Sequence, residues 1–230
     1  MAYSITGIAN MMLQRLGAKS RITSITDGSD NATKVNNIWE YIRDEVLEEI
    51  KPKFATIRVA LAQSITTPIY GWKYAYAIPA DFLCLAENYD YDPVVYVGSD
   101  PFYLPYFQPA IGNMLKYSIE ELSDGNKYLL TNWDSVSTTE NIYLRYIRKV
   151  TDVTKYTPSF INVFAFRGAA ELSFTIAESG SKFQAMMTLY DKFRLDAISK
   201  NRALDYNDDM GNENWVDARI GAGINPIILR

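Results

Sequence analysis

Apolar residues recur at three- and four-residue spacing near both ends of the chain, and at shorter, partly alternating spacing in between. Ile5, Ile8, Ala9, Met12 and Leu16 fall on one face of a helix running from Ser4 to Leu16, with Ser4 as N-cap and Gly17 as the residue that ends it. After the turn-forming Ile25-Thr26-Asp27-Gly28-Ser29, a second helix is predicted from about Asn31 to Lys51, capped by Ser29 or Asp30 and closed by Pro52. Its stripe is Val35, Ile38, Trp39, Ile42, Val46 and Ile50, so the two helices are expected to pack as a hairpin. Helical spacing returns at Thr157-Pro158, a cap and first-turn pair, with Ile161, Phe164, Ala165, Gly168, Leu172 and Ile176 as the stripe and Gly180 as the stop. Ser181 then caps a last helix carrying Phe183, Met186, Tyr190, Phe193 and Ala197.

The middle of the chain reads differently. Arg58–Ser64, Trp72–Ile78, Leu115–Ile119, Lys127–Thr131 and Ile142–Ile147 are short runs rich in Tyr, Ile and Val. Turn signals such as Thr67-Pro68, Ser123-Asp124-Gly125-Asn126 and Ser137-Thr138-Thr139 separate them, which predicts antiparallel strands. Six of the nine prolines lie between Pro68 and Pro109, and no Lys or Arg occurs between Lys73 and Lys116. The expected fold class is α+β: an antiparallel helical bundle from the N- and C-terminal helices, an inserted antiparallel β domain, and an extended C-terminal arm. The expected boundaries are 1–53 and 155–206 for the bundle, 54–154 for the β-rich insertion with a Tyr/Pro-rich acidic loop at 88–112, and 207–230 for the arm.

Composition narrows the function. Hydrophobic residues make up 48% and charged residues 22% of 230 positions, ordinary for a chain with a packed core. A net charge of −4 provides no general attraction to nucleic acid or anionic membrane. No apolar run is long enough to span a bilayer, and the first residues lack a secretory leader's pattern, so no membrane partner is expected. Cys84 is the single cysteine, which leaves no intrachain disulfide and suits a reducing compartment. Histidine is absent, which removes Ser-His and Cys-His nucleophiles, the commonest general base and the commonest metal ligand together. The chain is therefore expected not to be an enzyme, with no catalytic residue, cofactor or metal assigned.

Three short patterns fail on geometry. Gly17-Ala18-Lys19-Ser20 follows a helix and lacks the first glycine of a phosphate-binding loop, so it reads as a helix end. Asp205, Asn207 and Asp209 alternate as calcium ligands do, but Met210 stands where glycine must turn the loop and Val216 where a bidentate Glu belongs. Ser179-Gly180-Ser181-Lys182 matches a serine-enzyme motif without its partner motifs and reads as a turn and cap. The carboxylates Asp44, Glu45, Glu48 and Glu49 read as the wet face of the second helix.

Two segments point to partners instead. Tyr89, Tyr91, Tyr96, Phe102, Tyr103, Tyr106 and Phe107 sit in the acidic loop, either covering a core or forming a contact surface. Ile220, Ile224, Ile227, Ile228 and Leu229 sit among glycines and Pro226, too interrupted to build a core of their own. That arm either tucks onto its own domain or adds to another subunit's surface, with Trp215 and Arg219 at its root and Arg230 at its end.

The order of several segments resembles the head-to-tail connector family of tailed bacteriophages, in particular the tail tubular protein A-like adaptors of short-tailed phages. The resemblance rests on Ala9-Asn10-Met11-Met12-Leu13-Gln14-Arg15-Leu16-Gly17-Ala18, Ile22-Thr23-Ser24-Ile25-Thr26-Asp27-Gly28-Ser29 and Arg43-Asp44-Glu45-Val46-Leu47. It continues in Phe54-Ala55, Arg58-Val59-Ala60-Leu61-Ala62, Tyr74-Ala75-Tyr76-Ala77-Ile78-Pro79-Ala80-Asp81-Phe82-Leu83, Tyr146-Ile147, Val150-Thr151-Asp152 and Phe164-Ala165-Phe166-Arg167-Gly168-Ala169-Ala170. The chain departs from that pattern at Lys51-Pro52-Lys53, where a tryptophan is expected before Phe54, and in the long acidic loop.

The resemblance implies a virion protein at the head–tail junction, assembled in the host cytoplasm. It implies a ring of twelve copies joining the portal protein to the tail nozzle, with DNA passing through without sequence-specific binding. On that reading the arm residues Trp215, Arg219, Ile220, Ile224, Pro226, Ile227, Ile228, Leu229 and Arg230 contact the portal or a neighbouring subunit, and the aromatics of the acidic loop face the tail. The alternatives are another tail or minor head protein, or a carboxylate-dependent cell-wall glycan hydrolase using Asp81 or Glu87.

Overall fold

Ser4 begins the described structure's first helix as the sequence predicts: its Oγ accepts the Gly7 N–H at 3.0 Å, and α1 runs Ile5–Leu16. Gly17, at φ 75°, ends it, because only there can the Gly17 and Ala18 N–H groups turn back to the Gln14 and Leu13 carbonyls, both at 3.0 Å. The computed structural model describes residues 3–87, 95–98, 115–138 and 140–204. Ser29 caps α2, Asp30–Ile50, by accepting the Ala32 N–H. Between them Asp27 gathers the loop: its carboxylate accepts the N–H groups of Thr23, Ser24 and Ser29. Those hydrogen bonds, from Ser29 first, hold the Asp27 carboxyl well below the ordinary range.

A single turn at Lys53–Ala55 leads into β1, Thr56–Leu61, followed by β2, Tyr74–Ala77, β3, Phe82–Leu85, and β4, Val95–Gly98. Next come β5, Tyr117–Glu121, β6, Lys127–Thr131, the one-turn α3, Ser135–Thr138, and β7, Asn141–Arg148. Two long helices follow, α4 over Pro158–Ile176 and α5 over Gly180–Arg202. The described residues thus form an α+β protein with five helices and antiparallel sheets.

Strand β7 is the hinge of the architecture. On one edge it pairs with β1 from Thr56 opposite Ile147 to Leu61 opposite Ile142; its other edge takes β3 and β4 in succession. The second sheet is antiparallel in the order β2-β6-β5, tied to the first by a bridge between Gln63 and Tyr76. Because side chains alternate along a strand, Ile142, Leu144 and Tyr146 join Leu61, Tyr76 and Leu129 in a core between the sheets. Ile147 enters the helical core instead.

Four features differ from the sequence expectation. The first two helices pack chiefly through α4, which contacts α1, α2 and α5, so they do not form a simple hairpin. Helix α4 is buried at Phe160, Val163, Ala169, Ala170 and Ser173 as well as along the predicted stripe, as befits a central helix. It stops at Ala177, and Gly180 opens α5 behind the cap Ser179, where Ser181 had been expected to cap. Lastly, residues 95–98 of the predicted 88–112 loop form β4 on the edge of β7, and β3 was not anticipated.

Candidate functional site

Most residues of the two predicted contact segments lie outside the described structure. The arm residues Trp215, Arg219, Ile220, Ile224, Pro226, Ile227, Ile228, Leu229 and Arg230 fall outside the described residues, as do Tyr89, Tyr91, Phe102, Tyr103, Tyr106 and Phe107. Tyr96 is placed by its backbone alone, in β4 opposite Tyr143.

The two candidate acids have protein partners. Asp81 Oδ1 accepts the Tyr146 hydroxyl at 2.7 Å, and Glu87 Oε1 lies 3.5 Å from Arg202 Nη2. Burial first, then that bond to Asp81, pushes the Tyr146 phenol above its ordinary value. Among the described residues no group of three His, Cys, Asp or Glu side chains could hold a metal, and no helix is long and apolar enough to cross a membrane.

The carboxylates of α2 are not a uniformly wet face. Arg167 on α4 grips Glu45 side-on: Nη2 donates to Oε1 at 3.0 Å, and Nε lies 3.0 Å from Oε2 but off the hydrogen-bond line. Its Nη1 donates to Glu171 at 3.0 Å. Burial alone would lower the Arg167 pKa; the bonds to Glu171 and Glu45 more than offset it and hold the guanidinium charged. Glu49 accepts from the buried Tyr190 hydroxyl, while Asp44 pairs with Arg43 at 2.8 Å and Lys149 at 3.4 Å. Among the described residues Glu48 has no such pairing; it is exposed, as is Glu49. Spacing on α2 could not reveal this, because Arg167, Tyr190 and Lys149 come from α4, α5 and the segment after β7.

The surface feature that sequence reading missed is the β1–β2 connection. Ile65, Ile69 and Tyr70 are 101%, 91% and 86% exposed within six residues. The base of this knuckle is fixed: Ser64 N–H donates to Ala75 O at 2.7 Å, Ala77 N–H to Ala62 O at 3.3 Å, and Lys73 N–H to Asn132 Oδ1 at 3.1 Å. Thr67-Pro68 and Gly71, at φ 82°, turn the chain at the tip. Isolated apolar residues on a surface are ordinary, but three on one anchored tip offer apolar area for contact with another surface. Its available signal was the pair Ile69-Tyr70 placed inside a turn, where polar residues are usual.

A scan against protein-family models finds no match for this chain. A search of curated proteins likewise returns no relative.

Proposed function

We propose that this chain is a structural subunit of a phage head–tail junction, forming a ring between portal and tail nozzle and lining the path of the genome. The ordered sequence resemblance supplies the role. The observation that carries it physically is the anchored apolar knuckle of Ile65, Ile69 and Tyr70, which suits a protein that works through contact with another chain. On this reading the helices form an antiparallel bundle that packs side by side around the ring. The sheet module turns its knuckle toward the nozzle, and the arm from Trp215 to Arg230 clasps the portal or a neighbour. With a net charge of −4, the subunit would let DNA slide without counterion-release binding.

Mass photometry of the full chain, alone and with portal rings, tests the reading. A dodecameric adduct on portal is expected, lost when the chain stops before Trp215. The Ile65→Ser/Ile69→Ser/Tyr70→Ser variant should still join portal but fail to recruit nozzle protein. A full-length chain that stays monomeric and ignores portal rings would overturn it.

A further inference from the structure

Arg43 is buried on α2 with its side chain only 6% exposed, yet it is poorly satisfied. A guanidinium carries five N–H donors. Here Nε donates to Asp44 Oδ1 at 2.8 Å, and the nearest other acid, Glu40, stands 3.8 Å from Nη1, beyond hydrogen-bond reach. The Nη groups have no hydrogen-bond acceptor among the described residues. Neither Nη is sealed from water, so these donors open onto solvent that a ligand's acceptor can displace.

The position of Arg43 shows where such an acceptor would enter. It lines a cleft of about 400 Å³ beside the Trp39 side chain, with Asn36 and Asn37 from α2 and Thr151 from the segment after β7 at the walls. The amides and the hydroxyl add donors, and Trp39 adds an apolar side. Asp44 is already shared with Lys149, so it cannot turn fully to Arg43. Glu40 is 81% exposed and lies at the rim.

We propose that this cleft binds a carboxylate presented by another protein chain, with Arg43 as the receiving group. The planar fork of guanidinium matches a carboxylate bidentately. The volume exceeds what one or two waters fill, at roughly 30 Å³ each, and accommodates an acidic side chain with part of its backbone. A monoanion fits better than phosphate, because Asp44 and Glu40 already place two negative charges beside Arg43. Glu40 then acts as a weak internal competitor. The inference stands independently of the phage assignment.

Thermal-shift titration of the full chain tests it with four probes: N-acetylglutamate methylamide, its glutamine counterpart, N-acetylglycine and inorganic phosphate. A saturable rise in Tm with a carboxylate and none with the glutamine probe is expected; the glutamate and glycine probes separate an acidic side chain from a chain terminus. Glu40→Gln should tighten binding and Asn37→Asp weaken it, each by about two- to fivefold, the scale of one exposed charge. Arg43→Gln should abolish it; if that variant does not fold, the two exposed substitutions still decide. Equal response to glutamate and glutamine probes, a stronger response to phosphate, no response to any probe, or affinities unmoved by Glu40→Gln and Asn37→Asp would each overturn the proposal.

Discussion

Replacing Arg167 by Met removes the cation that joins α4 to α2 while keeping an apolar chain of similar reach. The Arg167 side chain is 13% exposed and that of Glu45 26%, so the substitution leaves a largely buried carboxylate without its partner. Breaking a fully buried pair costs about 3–5 kcal/mol, and an exposed pair is worth about 0.2–1 kcal/mol. Glu45 keeps some access to water, and Glu171, 43% exposed, can turn outward, so a cost of about 2–3 kcal/mol follows. For a chain of this size each kcal/mol moves Tm by about 2–4 °C, giving a fall of roughly 5–10 °C.

The double variant Arg167→Met/Glu45→Met should recover most of that loss, because neither charge then has to leave water. Urea unfolding followed by far-UV circular dichroism, run as a double-mutant cycle, should give a coupling of about 1.5–2.5 kcal/mol. A single variant within about 0.5 kcal/mol of the wild type, or a double variant worse than the single one, would refute the view that this pair is a buried lock.

Three further outcomes are expected. A Cβ added at Gly168 would stand 2.6 Å from Met12 Sδ and 2.8 Å from Cε, and Met12 is fully buried; Gly168→Ala should therefore lower the urea midpoint despite a helix-propensity gain of about 1 kcal/mol, yet raise it in a Met12→Ala background. Burial pushes the Tyr156 phenol up to about 12, and Tyr190 is raised by burial and by Glu49; their folded pKa values exceed the unfolded ones, so the stability they confer is full below about pH 10 and is lost as pH rises toward 12. Urea midpoints at pH 8, 10 and 11.5 should fall accordingly, with a shallower decline in Tyr156→Phe, which begins lower through losing its 2.7 Å bond to Val150 O. Burial also raises the Cys84 thiol to about 11, so iodoacetamide at pH 8 should modify the folded chain about tenfold more slowly than the urea-unfolded one.

Local chemistry was legible where it is written locally. Ser4 with Gly17, Ser29, and Thr157-Pro158 mark helix ends through bonds made within four residues, and the structure has them in those places. The Ser123–Asn126 turn is equally local: Leu122 N–H reaches Asn126 O at 3.1 Å around Gly125 at φ 78°. What failed depends on distant partners. Phe82-Leu83-Cys84-Leu85 carries no alternation because its residues serve both the sheet core and the helical core. Val95–Gly98 has strand chemistry but lies between prolines, and its pairing with β7 spans over forty residues. The short connection points to an α1–α2 hairpin, but α4, buried at ten of its nineteen positions, takes neighbours on several sides and stands between them.

The contrast between two arginines separates framework from candidate site. Arg167 reaches α2 from outside and meets Glu45 and Glu171 with its end groups, so its burial is compensated within the chain. Arg43 belongs to α2 itself, is buried more deeply, and satisfies one donor. Both sit among the acids that the sequence presents as a solvated face, and neither role follows from spacing on α2 alone. A largely buried guanidinium with one protein acceptor adds little to stability, since an apolar side chain there would pack without the desolvation cost. Retaining Arg43 at a cleft is better explained by what arrives there, which makes the Glu40→Gln and Asn37→Asp affinities more informative than any stability measurement on Arg43.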